Sequence, residues 1–270
     1  MARVLGVVLM LLAAPGWAGD RIPSDCIALA RTLPSVVRIG LDLTERDLRI
    51  RFLQHASFAI ESRGLLVVTD YTDAIAGADV MPDVVTMNNA HDSHYSTRPD
   101  PRIPLVLRGW GEAGRRAEID MDLGEMRLRN VTTDLRGPFG EGARKDGNSI
   151  FIFEVAGLCV GHLSHLHQKL IPEDLAAIGR LDVVMVPVDG AFTMDVAQMA
   201  DVVRRLNPRI VLPMHWFSEE GLARFLVQLQ GDFEIVVPET SQIVVSRDRL
   251  PQRPQVVVLM PELAAAAAVE

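Results

Sequence analysis

The sequence predicts a single α/β domain in which two β-sheets carry helices on their outer sides. Three observations support this prediction. Short β-rich runs dominate residues 48–133, strands alternate with helices from residue 149 onward, and neither a linker nor a repeat interrupts the chain. Runs of strands followed by βαβ units are typical of layered α/β folds.

The first half of the chain consists of short strands and turns. The pattern favours strands at residues 49–53, 58–62, 65–69 and 83–87, with further strand-like stretches within 104–133. Arg63-Gly64 is typical of a tight hairpin turn. Residues 136–147 are rich in glycine and mixed charge, which predicts a loop.

The second half alternates strands and helices. Helices are expected at residues 172–179, 195–206 and 218–229, where apolar positions recur at helical spacing or a capping residue precedes the run. Strands are expected at residues 149–154, 158–161, 182–187, 210–213, 234–237, 243–245 and 256–259. We therefore expect one folded unit over residues 48–262, preceded by an extension at 19–47 and followed by a disordered tail at 263–270.

Composition and charge narrow the range of partners. Hydrophobic residues make up 49% of the 270 residues, which is enough to build a core and argues against disorder. The net charge is −8, and only two of the 27 basic residues are lysines. Because binding to a phosphate backbone needs clustered positive charge, nucleic acid is not an expected partner, whereas a small-molecule substrate is.

Residues 1–18 have the features of a cleavable signal peptide. Arg3 precedes an almost unbroken apolar run at 4–14, and small residues occupy positions 16 and 18. The run is too short to cross a bilayer, although an uncleaved N-terminal anchor is the alternative. We therefore expect an exported protein, periplasmic or secreted, with no membrane span after cleavage.

The chain has two cysteines, Cys26 and Cys159. In an oxidising compartment they can pair and attach the N-terminal extension to the domain. The alternative is that Cys159, inside an apolar run, is a small buried residue without a partner. The sequence leaves both alternatives open.

The seven histidines fall into four short motifs, each at or just after a predicted strand. They are His55, His91, His94, His162, His165, His167 and His215. Strand ends are where α/β folds assemble their sites, and neutral imidazole is a common ligand of zinc. The distribution therefore predicts one shared metal pocket.

Five ordered motifs resemble those of the metallo-β-lactamase superfamily. They are QHASFAIE at 54–61, LVVTD at 66–70, PDVVTMNNAHDSH at 82–94, DVVMVPVDG at 182–190 and PRIVLPMH at 208–215. The resemblance spans about residues 48–260. It implies a four-layer αββα sandwich with a metal site at the edge between the two sheets, and hydrolytic chemistry.

The chain departs from the ligand pattern of that family at several positions. Asn89 and Ser93 occupy positions where the His-x-His-x-Asp-His motif has ligands, and Thr133-Asp134 lies where a further histidine is expected. His165 stands in the place of the aspartate that bridges two metal ions. These losses remove charge and ligands from a second ion, so the resemblance implies one ion.

The expected ligands of this single ion, most favourably zinc, are His91, His94, His165 and His215. Asp92 and Asp189 are the candidate catalytic residues. Asp92, Asp189 and Asp134 are alternatively metal ligands or acceptors that orient imidazole N–H groups. For Asp92 and Asp189, a plain turn residue is the remaining alternative.

The other histidines and the tryptophans are assigned less specific roles. We expect His55 to be structural, with its side chain bonded to backbone. Whether His162 or His167 shares a face with His165 depends on whether the segment is extended or turned. Trp110 and Trp216 are interpreted as packing aromatics, with a place at the pocket mouth as the alternative.

The sequence is compatible with two functions. One is a metal-dependent hydrolase that uses a metal-activated water on an ester, lactone, amide or phosphodiester. The other is a non-catalytic protein of the same fold that binds a metal, a small ligand or a partner. The retained histidines favour the first, and the lost ligand positions favour the second.

Overall fold

The computed structural model describes residues 24–27, 43–44, 46–76, 80–112, 115–136 and 143–262. The predicted signal peptide at 1–18 and tail at 263–270 lie outside the described residues. Within the described ranges, no helix is both long and apolar enough to cross a membrane.

Fourteen strands form the two sheets of the described chain. In chain order they are β1 (Leu48–Gln54), β2 (Ser57–Ser62), β3 (Leu65–Val68), β4 (Val84–Met87), β5 (Leu105–Arg108), β6 (Asp120–Asp122), β7 (Met126–Arg136), β8 (Ala143–Val155), β9 (Leu158–His162), β10 (Val183–Pro187), β11 (Ile210–Met214), β12 (Glu234–Val236), β13 (Gln242–Val245) and β14 (Gln255–Val257). The first sheet has the order β13-β1-β2-β3-β4-β5, and the second has the order β12-β14-β11-β10-β9-β8-β7-β6.

The helices are α1 (Asp73–Ala76), α2 (Pro172–Ile178), α3 (Val196–Leu206) and α4 (Glu219–Leu229), with a short 3₁₀ turn at Arg247–Arg249. Helix α3 begins where the Asp195 side chain accepts hydrogen bonds from the N–H groups of Ala197 and Gln198, and it ends at Asn207 in a left-handed conformation. Ser218 caps α4 in the same way, by accepting from the N–H of Gly221. The three helices predicted in the second half are confirmed.

The side chains arrange these elements in four layers. A core that includes Phe52, Phe58, Phe151 and Phe153 fills the space between the two sheets. A second core packs α2, α3 and α4 onto the outer face of the second sheet. A smaller one, around Tyr71 and Ile75 of the α1 region, covers the first sheet. The fold is therefore the αββα sandwich that the sequence predicted.

The predicted loop at 136–147 is wrong for its second part. Strand β8 begins at Ala143, and Arg144 pairs with Leu135 of β7, so the two strands form a long hairpin. Gly147 permits this pairing, because a Cβ there would lie 2.8 Å from the Cβ of Leu135. Backbone pairing extends the hairpin here, and it needs no apolar side chains of the kind on which the sequence pattern depends.

The two cysteines are paired. A disulfide joins Cys26 to Cys159, the second residue of β9, with their Cα atoms 5.9 Å apart. The carbonyl oxygen of Cys26 also accepts a hydrogen bond from the N–H of Arg180. The segment 24–27 is therefore attached to the second sheet.

The topology brings six strand ends to one edge. Strands β1, β3 and β4 run in the same direction in the first sheet, because β2 is antiparallel to both β1 and β3 and β4 is parallel to β3. Strands β9, β10 and β11 are parallel in the second sheet. The His162 ring Nε2 donates to the carbonyl oxygen of Ala56 at 2.8 Å and links the two sheets near this edge. The histidine motifs follow these strand ends.

Candidate metal centre

Five imidazole rings meet at this edge of the sandwich. His55 follows β1, His91 and His94 lie in the loop after β4, His165 follows β9, and His215 follows β11. One ring nitrogen from each of His55, His91, His94 and His215 lies within 4.8 Å of the others. The His165 ring centroid lies 5.1 Å from those of His91 and His94. The structure thus brings the four predicted ligands together and adds His55 to them.

Residues in the left-handed backbone region line this edge. The φ angles are +46° at His55, +41° at Asp70, +49° at Ser164 and +56° at His215. Such values are uncommon for residues other than glycine, and they concentrate at functional sites. Each of these residues lies one or two positions beyond a strand end, where the sharp turn places a polar side chain at the cluster.

His94 and His215 face each other across the centre of the cluster, with their Nε2 atoms 3.1 Å apart. The opposite nitrogen of each ring lies against a carboxylate: Nδ1 of His94 is 2.6 Å from Asp70 Oδ2, and Nδ1 of His215 is 3.1 Å from Asp189 Oδ1. The second contact falls short of an aligned hydrogen bond.

The contact with Asp70 orients the His94 ring. Nδ1 of His94 is paired with this carboxyl group, which leaves Nε2 as the ring nitrogen that faces the cluster. Burial and the nearby His215 hold the pKa of His94 well below its usual range. The two Nε2 atoms are close enough either to share a hydrogen bond, with one ring donating to the other, or to coordinate one cation together.

His91 is oriented by a different partner. Its Nδ1 lies 2.8 Å from the hydroxyl of Ser93, so Nε2 is the nitrogen left for the cluster. Ser93 is the residue that replaces the family's aspartate. Its hydroxyl now orients a neighbouring histidine.

Asp70 was not among the predicted site residues. It is fully buried, and in addition to His94 it accepts hydrogen bonds from the amide of Asn88 at 3.2 Å and the hydroxyl of Ser164 at 2.7 Å. Burial raises the pKa of this carboxyl, and these donors partly oppose that effect. The sequence contains a signal for this residue, because Asp70 ends the motif LVVTD at 66–70, directly after a buried strand.

The Asp189 carboxylate is held by four hydrogen bonds. It accepts from the N–H groups of Ala191, Phe192 and Thr193 and from the hydroxyl of Thr193. Burial alone raises its pKa, but the contacts from His215 and Thr193 outweigh burial and lower it. Asp189 therefore holds the 189–193 loop and lies beside Nδ1 of His215. Its roles as a catalytic residue or as an orienting acceptor stay predictions.

Asp92, the other predicted catalytic residue, is exposed in the loop between His91 and His94. It is not part of the group of metal-ligating atoms found among the described residues. A catalytic role for Asp92 stays a prediction.

His165 and His55 have ring nitrogens without partners. Both ring nitrogens of His165 are buried and make no hydrogen bond. Nε2 of His55 is also buried and makes no hydrogen bond. Burial and the neighbouring histidines lower the pKa of each ring to about 2, so both rings are neutral at pH 7. The structural role expected for His55 is therefore corrected, because its ring lies in the cluster with this nitrogen unpaired.

The remaining histidines lie apart from the cluster. His162 supports the contact between the sheets, as described above. Nδ1 of His167 accepts from the N–H of Arg136 in β7 at 3.2 Å, so this ring contacts the β7–β8 hairpin. Asp134 lies within that hairpin and accepts from the N–H of Asp146. The segment after β9 turns, which separates His167 from His165.

The aromatic residues divide into packed and exposed ones. Trp216 packs against the core beneath the helices, and Trp110 lies 6.0 Å from Tyr95 over the first sheet. They are packing aromatics, as interpreted from the sequence. Phe192 and Phe217 instead lie exposed beside the histidine cluster.

The donor set fits one transition-metal ion. Two nitrogens bound to one zinc ion at 2.0–2.1 Å in tetrahedral geometry lie about 3.4 Å apart, close to the 3.1 Å between His94 and His215. Carboxylates that orient the imidazoles are typical of such sites. Within the described residues the group contains no carboxylate ligand, so the charge that a second ion needs is missing.

Comparison with known proteins identifies the family. Residues 49–215 match the family model described as a beta-lactamase superfamily domain. Because that match covers more than half of the chain, the protein belongs to the metallo-β-lactamase superfamily.

Individual relatives are similar over most of their length. A UPF0173 protein of Pyrococcus furiosus is 26% identical over 68% of this chain and 91% of its own. A UPF0173 metal-dependent hydrolase of Nanoarchaeum equitans is 22% identical over 63% and 84%. Among solved structures, a candidate Zn-dependent hydrolase of this superfamily from Thermotoga maritima has a TM-score of 0.56 and 26% identity, covering 78% of this chain and 98% of its own.

Proposed function

We propose that the protein is a metal-dependent hydrolase that works with one transition-metal ion, zinc in the first place. The observation that carries the proposal is the convergence of the Nε2 atoms of His94 and His215, which lie 3.1 Å apart, with Asp70 and Asp189 beside the opposite ring nitrogens. The names of the relatives from Nanoarchaeum equitans and Thermotoga maritima support the same chemistry.

The ligands in this proposal are His91, His94, His165 and His215. The first two and His215 each have Nδ1 against an orienting partner, which leaves Nε2 for the ion. His165 joins them because a buried ring with no partner on either nitrogen is costly unless something binds it. When bound, the ion polarises a carbonyl or phosphoryl oxygen and lowers the pKa of water to about 7.

His55 is proposed to position the attacking water. Its ring is neutral and half-buried, and it lies on the side of the cluster where Phe217 is exposed. The free Nε2 can accept a hydrogen bond from a water molecule and hold its oxygen towards the substrate. Hydrolysis then adds water across the scissile bond, giving an acid and, from an ester, an alcohol that takes up the released proton.

The substrate bond is an ester, lactone, amide or phosphodiester. All four place an oxygen where a Lewis acid can polarise it, and the fold does not choose among them. Asp70 and Asp189, both buried beside ligands, supply carboxylates that balance the charge of a divalent ion.

Export of the protein is part of the proposal. The disulfide between Cys26 and Cys159 favours a compartment in which such bonds persist, the periplasm or the exterior. The signal-like residues 1–18 point in the same direction.

A non-catalytic metal-binding protein is the second candidate. It is favoured by the replacement of two family ligands by Asn89 and Ser93. The backbone carbonyl oxygen of Asn89 accepts a hydrogen bond from Arg144 at 2.6 Å, and the Ser93 hydroxyl orients His91. If His55 also bound the ion, five imidazoles would leave no position for water.

A turnover screen with zinc-loaded protein separates the two candidates. We expect hydrolysis of at least one ester, lactone, amide or phosphodiester, a more than hundredfold loss of kcat in His55→Ala, and an unchanged metal content in that variant. The His167→Ala variant is the matched control and should keep both the kcat and the metal content of the unaltered protein. Loss of bound metal in His55→Ala, with no turnover in the unaltered protein, would favour the binding protein.

A further inference from the structure

Two exposed phenylalanines adjoin the histidine cluster. Of the eight phenylalanines that the structure describes, six are buried, whereas Phe192 and Phe217 are 57% and 62% exposed. Their rings contact each other edge to face, with centroids 5.8 Å apart. Large apolar side chains exposed together are a feature of ligand-binding grooves.

The pair is continuous with the metal centre. The ring of Phe217 lies 5.3 Å from that of His215 and 5.5 Å from that of His55. A molecule that covers Phe217 therefore lies directly beside a proposed ligand and beside the residue proposed to hold the water.

Both side chains extend from rigid supports. The N–H of Phe192 donates to Asp189, the same carboxylate that contacts His215. Phe217 lies between His215 and Ser218, which caps α4. The backbone that carries the two rings is thus held by the segments that build the site, as a preorganised binding surface requires.

The surface is too small for a stable protein interface. A phenylalanine ring buries at most about 150–250 Å². Two half-exposed rings therefore offer roughly 200–250 Å², against about 800 Å² per partner in a standard interface. A hydrocarbon group of a small molecule matches both the area and the apolar character.

We propose that Phe192 and Phe217 form the substrate-binding surface for an apolar acyl or aryl group of an ester, lactone or amide. This inference rests on the proposed hydrolase function, because it assigns the group that flanks the scissile carbonyl. Phe192 and Phe217 select substrates by covering that group and take no part in the bond-breaking step.

The test measures binding and turnover separately. Octanoate and acetate, which differ only in chain length, are titrated calorimetrically into zinc-loaded protein. Each fully buried methylene is worth about a fourfold gain in affinity, so partial cover of the chain should make octanoate bind at least about tenfold tighter than acetate. This preference should disappear in Phe192→Ala/Phe217→Ala, persist in Phe217→Leu, and be unchanged in Val227→Ala, which removes an exposed apolar side chain on α4.

A chain-length series of esters gives the second readout. The ratio of kcat/KM for octanoyl over acetyl esters should fall at least tenfold in the double variant, with metal content unchanged. Tighter binding of octanoate than of acetate, without turnover of any ester, would support the apolar binding surface and contradict the proposed hydrolase function. Turnover whose chain-length ratio is the same in the double variant would overturn the inference and leave the hydrolase standing. Loss of self-association in the double variant, with the octanoate preference unaltered, would assign the rings to a protein contact and overturn it as well.

Discussion

The backbone N–H of His215 donates to the carbonyl oxygen of His55 at 2.7 Å, and this bond joins the two sheets at the metal centre. His55 belongs to the end of a strand in the first sheet, and His215 to the end of a strand in the second. Their rings lie 4.1 Å apart. The contact that closes the sandwich therefore also sets the distance between two members of the cluster.

Removing a proposed ligand should remove the metal. Each of His91→Ala, His94→Ala and His215→Ala takes one imidazole from a site with no carboxylate to replace it. We expect at least a tenfold loss of metal affinity in each, measured by competition with a chromogenic chelator. His167→Ala is the control, because this ring is bonded to the N–H of Arg136 instead. Equal losses in the control and the three variants would contradict the assignment.

Asp70→Asn should weaken metal binding without unfolding the protein. The asparagine keeps the size of the buried side chain but no longer provides the carboxylate that holds Nδ1 of His94 at 2.6 Å. Losses of 10–100-fold in metal affinity are typical when such an orienting partner is removed. Asp201→Asn, an exposed change on α3, serves as the control. Affinity that survives the Asp70 change would mean that the carboxylate does not orient the ligand.

Asp92→Asn tests the catalytic role predicted from the sequence. Because the side chain is exposed, the change should leave the metal content as it is. A loss of kcat above tenfold would support the role, and unchanged kinetics would remove Asp92 from the catalytic residues.

The sequence predicted the sandwich and the convergence of His91, His94, His165 and His215, because strand ends and motif order are local features of a chain. It did not predict the role of Asp70, whose importance comes from a contact with His94, which lies 24 residues further along the chain. His55 was misassigned for a similar reason. Its ring direction depends on a left-handed backbone at the strand end, which no periodic pattern of side chains encodes.

The disulfide should stabilise the fold without affecting the metal centre. It closes a loop between residues 133 positions apart, and neither cysteine belongs to the group of candidate metal-ligating residues. Cys26→Ala/Cys159→Ala should lower the free energy of unfolding by about 2–4 kcal/mol in urea denaturation, with metal content retained. Dithiothreitol should destabilise the parent protein by a similar amount and leave the variant unaffected. An identical midpoint for parent and variant would contradict this.

Acidification should destabilise the metal-free protein through its buried neutral histidines. Burial lowers the pKa of His162, so below about pH 6.5 the unfolded chain takes up a proton that the folded one does not. Stability then falls with falling pH, by up to about 1.4 kcal/mol per pH unit for this residue. His162→Gln can still donate to Ala56 but does not titrate, so urea unfolding at pH 5, 6 and 7 with chelator present should show a shallower slope. The parent protein is the comparison, and equal slopes in the parent and in His162→Gln would count against the account.

The content of metal per chain tests the central claim most directly. Protein produced without a His-tag, supplied with zinc and dialysed, should contain about one ion per chain by elemental analysis. That value follows from a group of four histidines, with the His165 ring next to it, in which the described residues supply no carboxylate ligand. A value near two would show that Asp92, Asp134 or Asp189 rebuilds a second site, and a value near zero would contradict both the metal centre and the hydrolase proposed from it.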